Sequence, residues 1–440
     1  MSAPDSEITN HGAENRTDGR SSASGFTPIR NRALRVAAVS TGLVAPSVME
    51  GRLVLAVIFG IAVIAAAVAY LPTTRVDDIV RRFRSPLPSA VTITMALWFV
   101  SLLAGINLEW SLFVWSSSAG LLIMAGLLHA AFERENWVEP LLLRALVAGS
   151  LAFAVAGTLA TLIWPVLLDP AGVRGIVSTQ VARFALKGYG SLVPCLIFAV
   201  LWAGFRLGGG WRTLAVLYVG FGLEIVYLAD SKSGMLGLAI SIMVLATIWV
   251  GLRLRRWMRR LFVAALIVAV GAVMTVIVMA LPKPLSTESV VYRIPSELVD
   301  RHRQVIWGFV VQNGAKAPIF GHGPGNARHL PLAKLGVAGA GRHVPSHPHN
   351  WLIQIFAETG LVGLASLLAV LFILLGRLVL AAGRGETAGW AGIGVTAAFF
   401  GSWLVNFSFW AAWWQTAYLV LMVAILGSIA RDARADARAK

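Results

Sequence analysis

Apolar stretches of membrane-spanning length recur along the chain, near 52–71, 88–107, 111–130, 141–167, 188–205, 211–229, 233–252, 261–281, 351–377, 388–408 and 411–430. Coiled as helices rising about 1.5 Å per residue, these runs reach or nearly reach across the ~30 Å hydrocarbon layer of a bilayer. The pattern predicts an all-α polytopic membrane protein. The polar links between the runs are short with one exception, residues 282–350.

Basic residues set the expected orientation, because Lys and Arg are retained on the cytoplasmic side of a membrane. The densest basic link holds Arg253, Arg255, Arg256, Arg259 and Arg260; others hold Arg81, Arg82 and Arg84, Arg206 with Arg212, and Arg377 with Arg384. With 253–260 inside, 282–350 emerges on the external face, and the alternation closes through every other link. Counting back then places residue 51 outside while Arg30, Arg32 and Arg35 belong inside, so the weakly apolar segment 36–49 must also cross. About twelve transmembrane helices result, with both termini cytoplasmic. The chain divides into a disordered cytoplasmic tail (1–32), an N-terminal transmembrane bundle (33–281), a large external loop with interfacial helices (282–350), C-terminal transmembrane helices (351–430) and a second cytoplasmic tail (431–440).

Composition agrees. The chain is 57% hydrophobic and 13% charged, with a mean hydropathy of +0.75, and a soluble protein of 440 residues could not hide that much apolar surface. The formal net charge of +16 would suit nucleic acid. Here the cations sit in links between spans, so the expected partner is the lipid bilayer and not a nucleic acid. The single cysteine, Cys195, excludes a disulfide framework or thiolate metal cluster within one chain.

The external loop concentrates the candidate chemistry. It carries six of the eight histidines: His302, His322, His329, His343, His347 and His349. Within Ser296 to Gln312, apolar Leu298, Val305, Ile306, Phe309 and Val310 suit an amphipathic helix lying on the membrane surface. Arg303 and Trp307 share one face of it, and the arginine fork suits either a diphosphate or snorkelling to lipid phosphates. Gly321-His-Gly-Pro-Gly-Asn326 reads as a tight turn, or as a loop whose backbone amides and Asn326 line a phosphate or sugar site. It lacks the spacing of a nucleotide loop. Ser346-His-Pro-His-Asn350 stands at the mouth of a span, where histidine can take a proton from a hydroxyl; the alternative for His349 and Asn350 is a helix start. Neighbouring carboxylates and thiolates are too few for a metal site. Lys232, at the external start of a span, is either an anion contact or an anchor. Asn406, Trp410, Trp413, Trp414 and Gln415 form an external turn read as an interfacial aromatic belt, with glycan stacking the alternative.

Four of these pieces together resemble the motifs of the O-antigen ligase and polymerase superfamily of bacterial envelopes. They are Ser231-Lys232-Ser233-Gly234, Arg303 to Trp307, Pro318-Ile-Phe-Gly-His-Gly-Pro-Gly325, and His349-Asn350 through Glu358-Thr-Gly360 to Gly363. The likeness covers roughly residues 215 to 380, with Lys232 where the family commonly has Arg and His322 where a small apolar residue is common. The resemblance implies an enzyme of the cytoplasmic (inner) membrane needing no metal or other cofactor. It would transfer a glycan from an undecaprenyl-diphosphate-linked donor to a hydroxyl of a glycan, lipid A core or protein acceptor. Under it Arg303 stabilises the leaving diphosphate, helped by Lys232 and by Arg328 or Arg342. His349 is the base, with His347 as substitute, and Gly323, Gly325, Asn326 and Asn350 line the substrate site. A lipid-linked glycan flippase or other transporter, or a membrane scaffold without chemistry, would not need this external cluster of His and Arg.

Overall fold

The computed structural model describes residues 23–74, 76–169, 172, 174–282, 291–297, 299–337 and 341–439. Among them the chain is helical almost throughout: α1 (Ala23–Val44), α2 (Arg52–Tyr70), α3 (Val76–Phe83), α4 (Pro86–Leu103), α5 (Leu108–Glu133), α6 (Glu139–Leu162), α7 (Thr179–Ala185), α8 (Lys187–Leu207), α9 (Gly210–Leu228), α10 (Lys232–Arg253), α11 (Arg256–Ala280), α12 (Arg301–Gly314), α13 (Trp351–Gly383), α14 (Thr387–Ser402) and α15 (Ala412–Ala439). A two-residue antiparallel ladder pairs β1 (Gly336–Val337) with β2 (Gly341–Arg342). Among the described residues eleven helices are long and apolar enough to cross a membrane. This is an all-α polytopic membrane protein.

The weak first segment is a helix as well. Its arginines keep α1 from being apolar throughout, yet it runs the length of the bundle beside α2 and α6. Arg30 at its start pairs with Glu135, and the carbonyl of Met49, just past its end, accepts from Arg174 at 3.2 Å. Glu135 and Arg174 belong to links at opposite ends, so α1 runs from one end of the bundle to the other. Residues 1–22 of the expected N-terminal tail lie outside the described residues, but from Ala23 onward that segment is helical rather than disordered.

Ion pairs gather the short basic links at one end. Arg82 pairs with Glu133 at 2.6 Å, Arg134 with Asp78 at 3.1 Å, and Arg206 with both Glu139 and Asp432 at 2.8 and 2.7 Å. The expected C-terminal tail 431–440 is instead a continuation of α15, because Arg431 pairs with Glu139 at 3.1 Å and donates to the Phe132 carbonyl at 2.9 Å. Helices α8, α14 and α15 form the bundle centre, whereas α11 is outermost and buries no residue.

The long loop caps the other end. It seats against the α4–α5 turn, where the Ile106 N–H donates to the His322 carbonyl at 3.1 Å and the Ser111 hydroxyl to that of Pro324 at 2.9 Å. Its helix departs from expectation. Every residue of α12 from Gln304 to Val310 is buried, so it does not lie on the membrane with a wet face. The loop folds over both sides and builds its own core from Ile306, Phe309, Val310, Leu330, Val344 and Ala357. The buried Gln304 side-chain nitrogen donates to the carbonyls of Ile294 and Val299 at 2.7 and 2.8 Å.

The folded cap also continues past residue 350. Helix α13 breaks at Gly360, whose φ of +69° is a left-handed conformation that suits glycine. The strand of loop at Pro318 and Ile319 presses against this break and accepts hydrogen bonds from Leu361 and Val362 at 2.7 and 3.2 Å. Residues 351–359 therefore belong structurally with the cap.

The opposed ends give a direct test. Lys334 on the cap and Arg256 at the α10–α11 turn are both exposed, while Cys195 is fully buried. In a Cys195→Ala background, Lys334→Cys and Arg256→Cys should react with an impermeant thiol reagent from opposite faces of sealed vesicles. Labelling of both from the same face would refute the two-ended bundle.

Candidate functional site

The site is built where the cap meets the α14–α15 link. Trp307, one turn beyond Arg303 on α12, donates its indole N–H to the Pro348 carbonyl at 2.9 Å and so anchors the Ser346–His349 segment. Asn350 then caps α13, its side-chain oxygen accepting from Leu352 and Ile353 at 3.0 and 3.2 Å. Between these anchors His349 is held at a φ of +57°. A left-handed backbone costs a bulky residue of order 1–3 kcal/mol and persists only where its surroundings impose it.

His349 Nδ1 lies 3.1 Å from the Asn406 carbonyl oxygen. A carbonyl only accepts, so Nδ1 carries the hydrogen and Nε2 is the basic nitrogen. Burial, and then the positive charge of nearby Arg303, pull the His349 pKa below its usual 6.5, so the ring is neutral at pH 7. The His347 ring packs against it at 4.0 Å between centroids. The intervening Pro348 does not send the two rings apart, and burial followed by the His349 charge pushes His347 down to about 3. His347 Nδ1 also meets the Ser346 hydroxyl at 2.8 Å.

Two of the four expected cations join this pair. Arg303 is half-buried, capped through its own N–H by Asp300 at 2.9 Å and paired with the same carboxylate at 3.3 Å. Arg328 donates to the Ser346 carbonyl at 3.2 Å and stacks over Trp110 at 5.0 Å. Arg342 has an exposed side chain, and only its backbone carbonyl approaches His302, at 3.3 Å. Lys232 is exposed at the start of α10, whose cap is the Ser231 hydroxyl accepting from Gly234 at 3.3 Å. Among the described residues no hydrogen bond or ion pair ties Lys232 to the cap.

The glycine-rich loop does not offer its amides to a ligand in this arrangement. Gly325 and Ala327 donate to the two oxygens of the Glu358 carboxylate at 2.8 and 3.0 Å, and Gly323 to the Glu358 backbone carbonyl at 2.8 Å. Asn326 is fully buried, its amide nitrogen shared between the Ser111 hydroxyl and the His322 carbonyl at 2.9 and 2.8 Å. Gly323, Gly325, Asn326 and the capping oxygen of Asn350 therefore build the site's frame, and the tight-turn and helix-start readings describe them. A protein carboxylate fills the place an external anion would take.

Glu358 and the α14–α15 link carry what the sequence reading underweighted. Only 1% exposed, Glu358 also accepts from Gln354 at 3.1 Å and from the Trp410 indole N–H. Gln354 in turn accepts from the Phe409 N–H at 2.8 Å and donates to the Ser408 hydroxyl at 3.1 Å. That fixes the link on which Asn406 presents its carbonyl to His349. Trp410 packs edge-on to Trp98 at 5.1 Å, so this turn is built into the protein rather than forming an interfacial belt. The legible signal was a Glu two turns into an apolar run together with an aromatic turn holding Asn and Gln. Among the described residues no group of three or more His, Cys, Asp or Glu is placed to hold a metal ion.

Glu358→Ala would strand several buried donors, each costing about 1–3 kcal/mol when unpaired. The purified variant should lose at least about 2 kcal/mol of stability and expose the cap to protease before the bundle melts. Unchanged melting together with a protected cap would remove Glu358 from this structural role.

Residues 216–368 match the family model described as O-Antigen ligase, a stretch that runs from α9 through the cap to beyond the Gly360 break. A protein of Rickettsia prowazekii (strain Madrid E), provisionally named a polysaccharide ligase, is 35% identical over 75 residues. That alignment spans 16% of this chain and 18% of the Rickettsia protein. The matched region contains Lys232, Arg303, the glycine-rich loop, the His347–His349 pair and Glu358, set in a bundle of membrane-length helices, and over that stretch the chain is similar to the O-antigen ligase family.

Proposed function

We propose that the chain acts in polysaccharide biosynthesis as a ligase or polymerase, moving a glycan from a polyprenyl-diphosphate-linked donor to an acceptor hydroxyl. The acceptor is a glycan, a lipid A core or a protein. The observation that carries the reading is His349: neutral, strained, its Nδ1–H held by the Asn406 carbonyl, and beside the Arg303 guanidinium at one end of a membrane bundle. The capped end faces outward from the cytoplasmic membrane and the ion-paired end faces the cytoplasm, in keeping with the uncompensated arginines of the α10–α11 turn.

In this reading the acceptor oxygen attacks the anomeric carbon as its proton passes to His349 Nε2. The new C–O bond forms while the bond from sugar to diphosphate breaks, and the electron pair leaves on the phosphate oxygen. Charge grows there in the transition state, where a guanidinium fork contributes most. Arg303 supplies that fork, and Arg328 adds positive charge beside it. The Asn406 carbonyl stabilises the transient imidazolium through Nδ1–H, and the proton then returns to water.

Turnover of a purified lipid-linked donor in nanodiscs, with donor binding measured separately, tests the two roles. His349→Ala should lower turnover about a hundred- to ten-thousandfold with donor binding retained; normal turnover would remove the base assignment. Arg303→Lys keeps the charge and loses the fork, and should cost about ten- to a thousandfold, the equivalent of about 1.5–4 kcal/mol. Full activity in that variant would reduce Arg303 to an anchor.

The pH profile follows from the direction of the His349 shift. Burial and Arg303 disfavour the imidazolium, so the neutral base survives to lower pH than a free imidazole would. Wild-type activity should hold through pH 6.5 and fall only as the pH drops through the lowered pKa. A decline already half complete at pH 6.5 would contradict the site's electrostatics.

A further inference from the structure

At the end of the bundle opposite the cap, α8, α10 and α14 enclose an open groove of about 540 Å³ lined by Trp202, Phe205, Trp249, Trp390, Ala246 and Ala391. That volume lies in the range of small-molecule sites. Two of its aromatic walls carry a guanidinium: Arg253 lies 3.5 Å from the Trp249 ring centre and Arg212 5.8 Å from that of Phe205. The stacking brings positive charge to the rim of an apolar channel.

These arginines differ from several others at the same end. Arg30, Arg82, Arg134, Arg206, Arg431 and Arg434 are all paired with carboxylates. Among the described residues, no acidic group pairs with Arg212, Arg253, Arg255, Arg256, Arg259 or Arg260. Topology alone would be served by cations in either condition. Unpaired cations converging on an aromatic groove call for an amphiphile with an anionic head.

We propose that this groove is a binding site for an anionic phospholipid, its acyl chains along the aromatic walls and its phosphate against Arg212 and Arg253. A zwitterionic phospholipid fills the groove but sets its own ammonium group beside the guanidinium groups, and inorganic phosphate leaves the aromatic walls uncovered. Basic residues between helix ends at a charged membrane face recognise anionic headgroups in this manner. The site lies outside the matched family region at α8 and α14 and is independent of the chemistry assigned to His349.

Native mass spectrometry of the full chain in detergent, titrated with phosphatidylglycerol, phosphatidylcholine and inorganic phosphate, reads the site directly. Phosphatidylglycerol should be retained in preference to phosphatidylcholine, and excess inorganic phosphate should not displace it. Arg212→Ala with Arg253→Ala should weaken phosphatidylglycerol binding about 25-fold, at about fivefold per arginine. Ala246 is exposed in the groove, so Ala246→Trp should fill it without disturbing the bundle and weaken binding by at least about tenfold. Unchanged affinity in both variants, equal retention of phosphatidylcholine, or displacement by inorganic phosphate would each overturn the proposal.

Discussion

The Glu358 carboxylate is the constraint on which the cap depends. A carboxylate is costly to bury without partners, and here the amides of Gly325 and Ala327, the Gln354 amide and the Trp410 indole all donate to it. These donors come from three separate parts of the chain: the glycine-rich loop, the first turns of α13 and the α14–α15 link. One charge thus fixes their mutual position. The loop must fold tightly for its amides to converge, which is why Gly325 stands at a φ of +77° with Trp110 too close to admit a side chain.

The geometry around His349 follows from that framework. Arg328, just beyond the glycine-rich loop, reaches the Ser346 carbonyl, Trp307 reaches that of Pro348, and Asn406, on the link held by Gln354, receives Nδ1–H. Each bond is modest alone. Together they impose a left-handed backbone on a histidine, and strain of this kind collects where a side chain must be aimed. Burial of the same segment lowers the basicity of both His347 and His349, so the pair remains uncharged beside two arginines.

Electrostatics divides the molecule along its length. At the end away from the cap, carboxylates of the α5–α6 link draw α1, α3, α8 and the extended α15 together, and Arg30, Arg82, Arg206 and Arg431 there are compensated. The α10–α11 turn is not, and α11 stands at the periphery with no buried residue. Interior helix α14 is instead glycine- and alanine-rich, the composition that lets helices approach closely where lipid offers no hydrophobic drive.

The sequence by itself determined the fold class, the number of long apolar helices, the two-ended alternation of basic links and the one long polar link between spans. Those features follow from local composition: an apolar run must be helical in lipid whatever surrounds it. The helix start at Asn350 is equally local, because a side chain caps amides two or three residues away. Tertiary structure decided the rest. Periodicity marks a helix near 296–312 but cannot say whether its polar face meets water or another part of the same loop, and here the loop encloses it. Spacing marks Gly323, Gly325 and Asn326 as a turn but cannot reveal that a carboxylate more than thirty residues onward consumes the turn's amides. The union of His349 with Asn406, across 57 residues, exists only once α13, α14 and α15 have packed, since hydrogen bonds between distant segments are set by where helices bring their ends and not by the residues between.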